Sequence, residues 1–126
     1  MTNSARLILL VDDFQDSQEL HQYFLSAKGF RVAVASDGQE ALAKASELCP
    51  DVIIMDCSLP VISGWEAIRR LKADEKTKQI PIVMLTAYET NGLAEASREA
   101  GCAGLLGKPC MPDDLLKEIK RVLDKQ

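Results

Sequence analysis

LILLVDD, residues 7–13, decides the fold: five consecutive aliphatic side chains run straight into two adjacent carboxylates, Asp12 and Asp13. A run that is apolar at every position, with no polar alternation, predicts a strand covered on both faces, as parallel sheets are. The pattern recurs along the chain. Val52 to Met55 ends on Asp56, Ile82 to Leu85 ends on Thr86, and Gly104 to Gly107 ends on Lys108. If these runs are parallel strands, their carboxyl ends share one edge of the sheet, and residues up to about a hundred positions apart converge there. Three carboxylates, a hydroxyl and an ammonium in one place suit a metal ion and a phosphoryl group.

Working outward, two weaker runs, Val32 to Ala35 and Ala103 to Leu106, have the character of edge strands. Five such runs alternate with five stretches of helical period, which implies right-handed crossovers and an α/β fold. Leu20, Tyr23, Phe24 and Ala27 predict the buried stripe of the first helix, ended by Gly29. Asp37 followed by Glu40 has the form of a capping box opening the second helix, with Ala41, Leu42, Ala45 and Leu48 toward the sheet and Pro50 as the stop. Ile68 and Leu71 mark a third helix, Leu93, Ala96 and Ala100 a fourth, and Leu115, Ile119, Val122 and Leu123 a fifth, with Pro112 at its start.

At 126 residues, without repeats or linker-like tracts, residues 1–126 read as a single domain able to bury its own core. A formal charge of −4 argues against a surface for nucleic acid. No apolar run approaches a membrane span, and residues 1–6 lack the apolar stretch of a secretory signal, so a cytoplasmic location is expected. The fifth helix ends shortly before Gln126, which leaves open an output domain beyond it. Cys49, Cys57, Cys102 and Cys110 have neither zinc-type spacing nor nearby histidines, and reduced thiols are expected. Cys57 and Cys110 each lie within two residues of a candidate site residue, where oxidation would reach the site.

Asp12 and Asp13 repel one another, and burying that charge is unfavourable unless a cation is near. Oxygen-only donors favour a hard ion, Mg²⁺ above others. Helix capping by either aspartate is the competing explanation. Asp56, at the end of another strand, makes a candidate nucleophile: its carboxylate would attack phosphorus to form an acyl phosphate. Lys108 and Thr86 would then stabilise the equatorial oxygens of the transition state. Singly, each residue has an ordinary explanation, such as an ion pair or a cap; the joint placement is what carries information.

Val11-Asp12-Asp13, Met55-Asp56, Leu59-Pro60 through Ser63-Gly64, Leu85-Thr86-Ala87 and Gly107-Lys108-Pro109 resemble, in order and spacing, the motifs of bacterial two-component response-regulator receiver domains, including chemotaxis regulators. The resemblance spans about residues 6–125. It implies a flavodoxin-like three-layer sandwich: a five-stranded parallel sheet of order 2-1-3-4-5 with five helices, and a site where the order reverses. It further implies Asp56 as phosphoacceptor and Mg²⁺ on Asp13, Asp56 and the Ser58 backbone carbonyl, with Asp12 acting mainly through water. Thr86 and Lys108 would contact the phosphoryl oxygens, Cys57 and Ala87 would give backbone donors, and the Lys108–Pro109 peptide would be cis.

Partners implied are a sensor histidine kinase or histidine phosphotransfer protein and a downstream protein target, with no direct nucleic acid or membrane contact. The chain would be a monomer or a weak phosphorylation-dependent dimer. It would catalyse only its own phosphorylation and slow dephosphorylation. Two positions depart from or modulate the pattern. Leu105 stands where the family usually has Tyr or Phe, and reads either as a plain edge-strand leucine or as part of an apolar partner patch. Tyr88 borders the path of attacking water, and its phenol would slow hydrolysis. His21 reads as a solvated or partly packed helix residue, and Trp65 as packing. Three rival readings fit the residues less well. A haloacid-dehalogenase-like phosphatase calls for a second aspartate two residues after the first-strand nucleophile, an FMN-binding flavodoxin relative would not place two carboxylates at its phosphate, and a pseudo-receiver would have no need of the acidic set.

Overall fold

The computed structural model describes residues 5–56, 59, 61–86, 93–107 and 111–124. Strands and helices alternate: β1 (Leu7–Val11), α1 (Gln15–Ala27), β2 (Arg31–Ala35), α2 (Gly38–Leu48), β3 (Val52–Asp56), α3 (Gly64–Ala73), β4 (Ile82–Thr86), α4 (Leu93–Glu99), β5 (Gly104–Gly107) and α5 (Pro112–Asp124). All strand pairs are parallel and the order is β2-β1-β3-β4-β5, as the resemblance implied. The order reverses between β1 and β3, which leave the sheet toward different neighbours and open a crevice at their carboxyl ends.

The continuous apolar runs are explained by two separate cores. Side chains alternate across a strand. Leu9 and Val11 of β1 with Ile53 and Met55 of β3 therefore join Ala41, Ala45, Ala67, Ile68 and Leu71 of α2 and α3 on one face. Ile8 and Leu10 with Val52 and Ile54 join Leu25 of α1 and Leu115, Ile119, Val122 and Leu123 of α5 on the other. Each fully buried aliphatic side chain contributes roughly 1.5–3 kcal/mol relative to exposure. The weaker runs are the edges: β2 and β5 are only partly buried.

Local signals terminate the helices. Asp37 Oδ1 accepts the Glu40 N–H at 2.8 Å, while Glu40 Oε1 accepts from Ser36, one residue upstream of the cap itself. Ser63 Oγ accepts the Glu66 N–H at 3.2 Å and opens α3. Beyond α1, Gly29 takes φ +98°, a left-handed turn that glycine enters without a Cβ penalty. A Cβ on Gly38 would overlap the Ile62 carbonyl oxygen, so only glycine lets the start of α2 touch the loop before α3.

The stripe expected for α1 is corrected. Leu20 and Tyr23 are 56% and 78% exposed, Ala27 is exposed, and only Phe24 packs, partly, against the core. His21 and Leu25 face inward instead. One position of shift turns a helix by about 100°, and tertiary contacts at both ends of α1 choose the rotation over the local apolar pattern. Leu48 likewise turns out at the end of α2, and in α4 Ser97 is buried where Ala96 was expected, its Oγ donating to the Ala94 carbonyl at 2.8 Å. Among the described residues, no helix is long and apolar enough to cross a membrane.

Candidate functional site

Val11 and Met55 are register partners on the adjacent central strands β1 and β3, so the next residues, Asp12 and Asp56, emerge side by side at the crevice. Asp12 is 1% exposed and Asp56 3%, while Asp13 faces solvent. Oxygens of all three carboxylates lie within 4.8 Å of one another. Like charges at that separation repel by roughly 3 kcal/mol per pair at an effective dielectric near 20. The grouping is costly unless a cation is shared.

Two details show that the cup fits a metal better than a set of caps. The N-cap of α1 is Phe14, and among the described residues no side chain caps that helix. Asp12 Oδ1 accepts the Phe14 N–H at 3.0 Å, a turn contact ahead of the helix. The other oxygen, Oδ2, is buried and, among the described residues, meets no hydrogen-bond donor. A buried carboxylate oxygen lacking a donor is costly, and a cation would satisfy it. With only oxygen donors in the cluster, a hard ion such as Mg²⁺ suits it.

Thr86, 3% exposed, closes β4 at the same edge. Asp56 is in register with Leu85, one residue before it, and Thr86 itself pairs with Gly107, the residue before Lys108. Sequence expectations for Cys57, Ser58, Ala87, Tyr88, Lys108, Pro109 and Cys110 lie outside the described residues. Just past β3, the exposed Val61 holds φ +69°, which a β-branched residue adopts only under constraint from its surroundings.

Leu105 is half-buried, packs against the α2–α3 core and pairs in register with Met84, while also lining a groove with Arg98, Glu118 and Arg121. Trp65 packs on the same core, as expected. His21, expected to be solvated or partly packed, is buried, with its Nδ1 3.5 Å from Ser17 Oγ. Cys49 is exposed; Cys102 is buried, and that burial pushes its thiol up to about 11, with nearby Lys72 acting in the opposite direction. Cys102 is therefore a structural thiol at neutral pH.

Gln18 and Ser36 carry no strand-end motif that would mark them in the sequence, yet both belong to the site. Gln18 Nε2 donates to the Asp12 carbonyl oxygen and, at 3.1 Å, to Ser36 Oγ. Helix geometry held the signal: side chains on a helix slant toward its N-terminus, so a long polar residue one turn into α1 overlies the loop that carries the aspartates.

The sequence of residues 8–120 matches the model of the response regulator receiver domain. The chain is 34% identical over 119 residues to the polar-differentiation response regulator DivK of Brucella ovis, covering 94% of this chain and 97% of that protein. Among solved structures it is similar to the chemotaxis response regulator CheY4 of Vibrio cholerae, with a TM-score of 0.89, 35% identity, and coverage of 94% and 99%. It is also similar to the receiver domain of a sensor histidine kinase from Pseudomonas aeruginosa PAO1, with a TM-score of 0.87, 34% identity, and coverage of 96% and 99%; that structure has a magnesium ion coordinated in its active-site cleft. The phosphatase, flavodoxin and docking-only readings are not favoured by these relatives. Fold, acidic crevice and sequence agree: the chain belongs to the response regulator receiver domain family, signalling modules that accept a phosphoryl group rather than turn over a metabolite.

Proposed function

We propose that Asp56 is the phosphoacceptor and that a phosphohistidine on a sensor kinase or phosphotransfer protein is its donor. The observation that carries this reading is the convergence of Asp12, Asp13 and Asp56 at the switch point of the sheet. An Asp56 oxygen forms a bond to phosphorus as the donor's N–P bond breaks, and the departing imidazole takes up a proton. Asp13, Asp56 and the Ser58 carbonyl would hold Mg²⁺, with Asp12 acting mainly through water. When bound, that ion neutralises charge on the carboxylates and the phosphoryl oxygens.

Lys108 and the Thr86 hydroxyl contact the phosphoryl oxygens, with the Cys57 and Ala87 N–H groups as further donors. The family resemblance also implies a cis peptide between Lys108 and Pro109. Tyr88 excludes water without acting as a base, which lengthens the life of the acyl phosphate. The protein thus catalyses its own phosphorylation and slow dephosphorylation. The new charge shifts a loop and helix equilibrium read by a downstream protein, with Leu105 near the responding surface. The setting is the cytosol, and the functional unit is one domain over residues 1–126, monomeric or weakly dimeric when phosphorylated.

The test is incubation with acetyl phosphate and Mg²⁺ followed by intact-mass measurement. Wild type gains one phosphoryl group; Asp56→Asn, or wild type with a chelator, gains none. Equal labelling of Asp56→Asn overturns the assignment.

A further inference from the structure

The Asp12 carbonyl belongs to the peptide that joins Asp12 to Asp13, so whatever grips that oxygen sets the direction in which both carboxylates leave the chain. Gln18 grips it. A primary amide offers two N–H donors on one nitrogen, and both have acceptors here, the Asp12 carbonyl and Ser36 Oγ at 3.1 Å. A carbonyl only accepts, so the amide nitrogen rather than its oxygen faces Asp12.

The far anchor is itself fixed. Ser36 donates its N–H to Glu40 Oε1 at 2.7 Å, within the cap of α2. The preceding carbonyl, that of Ala35, accepts the Asp12 N–H at 3.0 Å. Asp12 is therefore held at its N–H by β2, at its carbonyl by Gln18, and at Oδ1 by the Phe14 N–H. Among the described residues nothing donates to Oδ2, which is left to face the cation or a water on it.

We infer that Gln18 is a positioning residue for metal loading, holding the Asp12–Asp13 peptide so that the acidic cup is preformed before Mg²⁺ arrives. Mg²⁺ demands near-octahedral geometry at about 2.0–2.1 Å, and ligands supported to within about 0.5 Å bind far better than loose ones. Gln18 touches neither the metal nor the phosphoryl group, so it sets the affinity of the site and leaves the chemistry of the filled site unchanged. This rests on the reading of the cup as the Mg²⁺ site.

Mg²⁺ is titrated calorimetrically into metal-free wild type, Gln18→Met and Ser36→Ala, and each is then labelled with acetyl phosphate across a Mg²⁺ series. Gln18→Met keeps the length of the side chain and loses the donors. Its affinity falls about tenfold, the usual scale for outer-shell support. The Mg²⁺ concentration for half-maximal labelling rises by the same factor, while the rate at saturating Mg²⁺ stays within about twofold of wild type. Ser36→Ala, which removes only the outer anchor, weakens binding measurably but less than Gln18→Met does.

Unchanged affinity in Gln18→Met overturns the inference, as does a lower maximal rate with an unchanged Mg²⁺ requirement. Should Gln18→Met lose its far-ultraviolet helical signal, Ser36→Ala decides, and wild-type affinity in that variant overturns the inference. Wild type that binds no Mg²⁺ ends the cup reading and this inference together. Wild type that binds, beside an indifferent Gln18→Met, ends only the inference.

Discussion

The middles of β1 and β3 and the ends of the same strands are one residue apart and energetically opposite. Ile8 to Val11 and Val52 to Met55 are sealed between helices and supply the stabilisation of the sheet. Asp12 and Asp56 continue those strands, carry like charge into near-complete burial, and leave one oxygen without a donor. The difference teaches where a small domain stores its conflict. A heavily buried pair of strands over-determines the position of its own tips, so repulsion that would splay a surface loop is held in place and is available to a cation.

The largest expected effect breaks the stabilising half of that comparison. Ile54→Ala, in the α1–α5 core, lowers the free energy of unfolding by about 2–5 kcal/mol, the cost of lost transfer energy plus a cavity. Urea titration measures it, and a loss under about 1 kcal/mol would mean that the strand middles do not support the tips as argued.

Next comes the opposing half. Asp12→Asn keeps an oxygen for the Phe14 N–H and replaces the donor-less oxygen with an amide that faces two carboxylates. With a chelator present, this variant gains about 1–3 kcal/mol over wild type. Mg²⁺ at a hundred times its dissociation constant stabilises wild type by about 2.7 kcal/mol and stabilises the variant much less. A metal-free variant less stable than wild type contradicts the claim that the cup is strained.

The smallest effect sharpens the comparison by supplying charges that are satisfied but exposed. On α3, hydrogen bonds from Arg69 and then Arg70 hold the Glu66 carboxyl down at about 2. Its folded value lies below the unfolded one, so its contribution is present above about pH 4.5 and fades as pH falls toward about 2. Solvent screens a pair this exposed. Glu66→Gln therefore unfolds slightly more easily than wild type at pH 7, and the two converge near pH 2. A difference that widens on acidification would show that Glu66 is not the group responsible.

Much of this was legible in the residues. Continuous aliphatic runs identified β1, β3 and β4, because a strand covered on both faces needs no polar alternation. Asp37 and Ser63 do what short polar side chains do at helix starts. The strand order came from the resemblance, since periodicity alone does not fix it. The rotation of α1 was not legible: Leu20 and Tyr23 form as good an apolar stripe as Leu25 with its neighbours, and choosing between them takes knowledge of what α5 and Gln18 touch. Nor was the donor-less oxygen of Asp12, because an adjacent pair of aspartates does not say which oxygen the next turn of chain will cover.

One pairing also constrains how the protein is made. Leu7 donates its N–H to Asp51 Oδ2 across 44 residues, and β1 finds its inner neighbour only in β3. A ribosome adding roughly 5–20 residues per second leaves β1 waiting several seconds for that neighbour to be translated. Among the described strands, β2 is the one neighbour of β1 already synthesised in that interval, and the cup that Asp12 and Asp13 share with Asp56 is complete only once β3 has followed.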